Sequence, residues 1–209
     1  MNTENLIQAV EQSHSSASLI SAVSTLAAAH QEEAIPTLVK VLGFNNPGAA
    51  AVAVDGLVAL GEPAVAYLLN NLDSYDYGAR AWATRALAEI GDPRALSLLL
   101  EAARGDFALS VRRAAAKGLG NLQWSKFPPQ QRAEAQKQVL QTLATVTRDS
   151  EWVVGYAAVV GLQSLASSVA ESLAVEIKAQ LQQVAQTHSD AAVCARAQLA
   201  LQQQSSALR

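Results

Sequence analysis

Cysteine occurs once in the 209 residues, at Cys194. A lone cysteine excludes an intramolecular disulfide and any thiolate-rich metal site. Aromatic residues make up 5% of the chain, with six prolines and eleven glycines, which is wrong for a β-sandwich, a collagen or a disordered chain. Positive charge is missing from the start: the first cation is Lys40, so neither a basic signal-peptide n-region nor an Arg-rich transit peptide is expected. A basic excess is missing too. The net charge of −3 argues against general nucleic-acid binding, which calls for a strongly basic surface. The uncharged run Trp152 to Ala170 contains Gln163, three serines and two glycines. Its apolar residues cluster on one helical face, so it reads as an amphipathic helix and not as a membrane span. A cytoplasmic protein with no membrane insertion is the expectation.

What the chain does have is alanine and leucine, 42 and 27 residues, a mixture that favours helices. It also has repeats. Ser21 to Ala29, Val52 to Gly61, Trp82 to Gly91 and Arg113 to Leu122 align on Leu26, Leu57, Leu87 and Leu119, spaced by 31, 30 and 32 residues. Each Ala-rich helix is followed by a break and a Leu-rich helix. In two units the break is Gly61-Glu-Pro63 and Gly91-Asp-Pro93, with glycine ending one helix in a positive-φ conformation and proline in the first turn of the next. His30 occupies the glycine's place in the first unit and should likewise end a helix. Further on the spacing loosens, with Leu162 and Leu199 as the later anchors. Helices are expected over 130–147, 152–165, 170–186 and 191–204. Small residues let neighbouring backbones approach while leucines fill the layer between them, and no helix pair can bury its apolar face alone. The reading is an all-α solenoid of about five HEAT-like helix pairs forming one domain, 1–209.

The search for self-contained chemistry is negative. There is no phosphate-binding glycine loop, no G-x-S-x-G and no His-x3-His. His14, His30 and His188 lie far apart in an array where only neighbours touch. Glu32 and Glu33 are adjacent and point to different sides of a helix, so they form no acid–base dyad. Cys194 reads as an inert residue on a buried helix face.

Charge and aromatic placement are more informative. Residues 1–79 hold one cation and eight anions, whereas residues 80–137 hold ten cations and five anions. This basic island is either a solvated face or a docking surface for carboxylates. Seven of the ten aromatics fall at helix starts or in loops: Tyr75, Tyr77, Trp82, Trp124, Phe127, Trp152 and Tyr156. Trp82 and Trp152 fit either the core at wide points of the array or a ligand-facing ridge. Arg80 and Arg112 have Asp76 and Asp106 nearby as partners, while Arg85 and Arg113 lack an evident acid within one turn. A mixture of arginine and aromatic rings suits a flat conjugated ligand carrying carboxylates.

The pattern from Asp76 and Arg80 to Gly91-Asp-Pro93 resembles HEAT-type repeats of the PBS-lyase kind. More narrowly, Asp76 to Pro93 and Arg112 to Leu122 resemble the smaller, F-type subunit of cyanobacterial phycocyanobilin lyases specific for the phycocyanin α subunit. The resemblance implies a heterodimer with a larger, E-type subunit. It also implies attachment of phycocyanobilin, as substrate and with no cofactor, through a thioether to a cysteine of apo-phycocyanin α. Arginines would then hold the propionates and aromatics stack on the pyrrole rings, with Tyr77, Trp82, Arg85, Arg113, Trp124, Trp152 and Tyr156 as the candidates. Related isomerising lyases carry a His-Cys pair near the position of Asn121 to Trp124. This chain has none, which implies plain addition. A non-catalytic HEAT adaptor and a phycobilisome-disassembly or chromophore-detachment factor remain as alternative readings.

Overall fold

A computed structural model describes residues 2–71 and 77–207. Among them are twelve α-helices: α1 (Thr3–Glu11), α2 (Ser16–Ala28), α3 (Ile35–Val41), α4 (Pro47–Leu60), α5 (Glu62–Asn70), α6 (Tyr77–Ile90), α7 (Leu96–Gly105), α8 (Leu109–Leu119), α9 (Pro129–Val146), α10 (Trp152–Ala166), α11 (Glu171–Thr187) and α12 (Ala191–Ala207). No strand occurs among the described residues. The fold is an all-α solenoid of HEAT-like helix pairs. The chain groups into two compact units, Met1–Ile90 and Gly91–Arg209. In the first, α2 packs on α4 and α4 on α6; in the second, α8 packs on α10 and α10 on α12. These are the Ala-rich helices, stacked as the small-residue pattern requires.

The helix breaks fall where the repeats place them. Gly61 has φ +70° and Gly91 φ +68°, and at Gly61 ψ is −126°, a combination that a Cβ resists. Among the described residues His30 is the one non-glycine with positive φ, at +50°. Pro63 lies in the first turn of α5. Pro93 opens a 3-10 turn over Pro93–Ala95 that runs into α7. That turn is capped by Asp92, whose carboxylate accepts from the Arg94 backbone N–H and from the Arg94 guanidinium at 2.8 Å.

Leu26, Leu57, Leu87, Leu119 and Leu162, the anchors of the repeat alignment, are fully buried. Each full burial contributes about 1.5–3 kcal/mol relative to exposure. Leu199 departs from the expectation: it is 44% exposed, because no described element covers that side of α12.

In the second unit α8 and α10 approach so closely that a Cβ on Gly161 would sit 2.5 Å from the Ala116 carbonyl oxygen, and one on Gly120 would overlap the Gly161 backbone. Arg112 adds a polar tie. Its Nε donates to Asp149 Oδ2 at 2.8 Å and its Nη2 to Oδ1 at 3.1 Å, while Nη1 donates to the Asp106 carbonyl. The carboxylate that pairs with Arg112 through two hydrogen bonds is therefore that of Asp149, on the loop before α10; Asp106, the expected partner, contributes its backbone oxygen and a supporting charge. The Asp149 carboxylate holds the guanidinium still more firmly protonated than usual.

Candidate functional site

The seven sequence candidates divide between the two units. In the first, Tyr77 opens α6, and its side chain lies outside the described residues. Trp82 is half-buried on α6. The Arg85 guanidinium lies 5.6 Å from the centroid of the Trp82 ring. Its Nε also donates to Glu89 Oε1 at 2.8 Å. Arg85 thus has an acid one turn along its own helix, contrary to expectation, and its charge is already compensated. Arg80 has its own interactions; its expected partner, Asp76, lies outside the described residues.

In the second unit Trp124 is buried. It begins a 3-10 turn over Trp124–Lys126 and its ring lies 4.7 Å from that of Phe127. This pair closes the loop between α8 and α9 as local core, so Trp124 has no face left for a ligand. Arg113 is exposed on α8, with no hydrogen bond or ion pair among the described residues.

Trp152 and Tyr156 behave differently. They are 50% and 38% exposed, and their rings meet edge to face, with centroids 6.4 Å apart and planes at 88°. Such geometry is the favoured one for an aromatic pair. An i,i+4 relation on α10 brings them together, and the core reading is thereby excluded for Trp152. Across from them on α12, the Arg196 guanidinium lies 5.8 Å from the Tyr156 ring centroid. Its Nη2 donates to Gln163 Oε1, and Gln163 Nε2 donates in turn to Gln203 Oε1 at 2.6 Å. Arg196 did not stand out in the sequence. A signal was there, since it is the only charged residue in α12 and has no acid three or four positions away.

Beside Trp152 the loop before α10, the C-terminal half of α11 and the turn after it frame a cleft of about 560 Å³, lined by Arg148, Asp149, Gln183 and His188 among others. His188 fixes one wall. Its Nδ1 accepts the Asp190 backbone N–H at 3.0 Å, so Nε2 carries the proton and donates to the Thr147 carbonyl at 2.9 Å. Cys194 is half-buried and not fully enclosed as expected, with Sγ 3.1 Å from the His188 carbonyl oxygen. With its imidazole committed to backbone groups, His188 is a wall and not a free base. The arrangement offers rings, a guanidinium and hydrogen-bond donors: equipment for holding a conjugated anionic ligand.

Stacked helix pairs with Gly-Pro breaks define a class, and the chain matches the HEAT-repeat family over residues 45–120 and 65–163. Individual relatives narrow this. The chain is 58% identical over 78% of its length to the phycocyanin α phycocyanobilin lyase CpcF of Synechocystis sp., covering 76% of that protein. It is 48% identical over 96% of its length to the phycocyanobilin lyase subunit β of Nostoc sp., covering all of it. A chain of the solved complex of CpcE and CpcF of phycocyanin lyase from Nostoc sp. superposes with a TM-score of 0.76 at 50% identity, over 81% of this chain and 99% of that one. The chain belongs to the family of CpcF-type phycocyanobilin lyase subunits.

Proposed function

We infer that this chain is the smaller subunit of a heterodimeric bilin lyase, which attaches phycocyanobilin through a thioether to a cysteine of the phycocyanin α subunit. The observation that carries this reading is the 50% identity and 0.76 TM-score with a chain of the CpcE–CpcF complex. The pigment is the substrate, and the site of action is the cytoplasm. In the addition, a carbon–sulfur bond forms at the exocyclic carbon of ring A and the thiol proton passes to the pigment. Nothing leaves and no electrons are exchanged with a co-reactant. The nucleophile belongs to the acceptor protein, which fits a chain whose polar groups bind and orient. Holding the pigment in one geometry and excluding water from the thiol is the lyase's work.

The test is co-expression of this chain with the larger subunit, apo-phycocyanin α and phycocyanobilin, followed by fluorescence of the acceptor band on a denaturing gel. The pair should give a covalently fluorescent α subunit, and this chain alone should not. A dark band from the pair, or full labelling by the isolated chain, contradicts the reading. Mixing the pair with pigment alone separates it from an adaptor, which would leave the pigment's absorbance unchanged.

A further inference from the structure

Among the described residues of the second unit, Arg196 is the one arginine that combines an aromatic platform with an uncompensated charge. Arg112 has Asp149 and Arg94 has Asp92. Arg196 is half-buried and its partner is the neutral amide of Gln163. Its Nη1 is shut off from solvent and finds no acceptor among the described residues. A partly desolvated cation without a counter-charge is costly, and a ligand carboxylate would relieve it. The guanidinium is also held in place. Gln163 and Gln203 form a relay from α10 to α12 that fixes its plane, and the Tyr156 ring supports it from below. Such preorganisation reduces the entropy lost on binding. Next to it, the exposed Trp152 and Tyr156 rings supply an apolar, polarisable surface.

We propose that Trp152, Tyr156 and Arg196 form the pigment-holding face of this subunit, with Arg196 as the anchor for one propionate and Trp152 as the stacking surface for a pyrrole ring. Gln163 is the positioning residue that aims the guanidinium. The proposal rests on the lyase reading above and moves the anchor out of the basic island, 80–137, onto the last helices of the chain.

The experiment uses the purified heterodimer and two probes, phycocyanobilin and its dimethyl ester, titrated by absorbance. The variants are Arg196→Gln, Arg196→Lys and Trp152→Ala, with Lys137→Ala on the exposed side of α9 as the surface control. Helicity and co-purification of the larger subunit are checked for each. The parental pair should prefer the free acid over the ester by roughly tenfold, the usual weight of a charge-assisted hydrogen bond. Arg196→Gln should erase that preference while binding the ester as the parent does. Arg196→Lys should recover part of it, because charge survives but the planar fork does not. Trp152→Ala should weaken both probes equally. An undiminished acid preference in Arg196→Gln overturns the proposal and leaves the lyase reading standing. So does a loss confined to co-purification of the larger subunit, which would make Arg196 a protein contact. If the parental pair itself neither binds nor transfers pigment, the lyase reading fails, and the proposal with it.

Discussion

Among the described residues, two arginines lie over aromatic rings at nearly the same distance, 5.6 Å for Arg85 over Trp82 and 5.8 Å for Arg196 over Tyr156. On α6 the guanidinium is neutralised by Glu89 one turn along the same helix. On α12 the counterpart is an amide, and the aromatic pair beneath it is open to solvent. A cation–π contact contributes comparably in both places. What differs is the charge left over. An arginine with a local acid belongs to the scaffold, while one without is available to a carboxylate from outside.

The comparison presumes that α10 is held rigidly, so the largest effect should come from disturbing its seat. Gly120 has an ordinary helical φ of −76°, and any cost of a side chain there is purely steric. Gly120→Ala drives its Cβ into the Gly161 backbone and should destabilise by about 3 kcal/mol, the upper end of overpacking costs. Urea denaturation measures it. The variant should also lose pigment transfer, because Gln163 lies half a turn beyond Gly161.

Next comes the arginine that is fully spent. Asp149→Ala strands a guanidinium that is only 14% exposed and should cost about 2–3 kcal/mol. Because Asp149 also frames the cleft beside Trp152, pigment affinity should fall with it, whereas a stable variant of unchanged affinity would separate cleft from platform.

A smaller, pH-dependent effect is expected at Asp92. The Arg94 side-chain hydrogen bond, its backbone N–H and the nearby Lys126 charge hold the carboxyl below the usual carboxylate range, against its burial. A depressed folded value means the stabilisation is complete above the unfolded value of about 3.9 and is lost as pH falls through the folded one. Arg94 is 44% exposed, so Asp92→Asn should cost about 1 kcal/mol at pH 7, discounted for screening. The gap to the parent should stay level down to about pH 4 and narrow below it. A gap that widens on acidification would contradict the assignment.

Much of this was legible beforehand. The repeat spacing places the breaks at His30, Gly61 and Gly91, since the conformation needed there recurs in each unit. The last four helices lie within a few residues of expectation, because a 3.6-residue apolar period over so long a span is hard to mistake. Partners across the stack were not legible. Arg112 meets Asp149 from 37 residues away, a distance that only packing of α8 against α10 can close. Glu89 was within reach of sequence reasoning, as the i+4 neighbour of Arg85 one turn along α6. Trp124 sits in a loop by sequence, but the short turn folds it onto Phe127 and buries it. Arg196 stands in an Ala-rich helix far from the basic island, so charge density drew attention elsewhere.

The most direct test sets the two arginines side by side. Arg85→Gln and Arg196→Gln are introduced separately, each is purified with the larger subunit, and the dissociation constant for phycocyanobilin is measured by absorbance titration. Arg196→Gln should bind roughly tenfold more weakly than the parent, and Arg85→Gln should be indistinguishable from it, because its charge was already met by Glu89. Equal losses, or a loss confined to Arg85→Gln, would contradict the account.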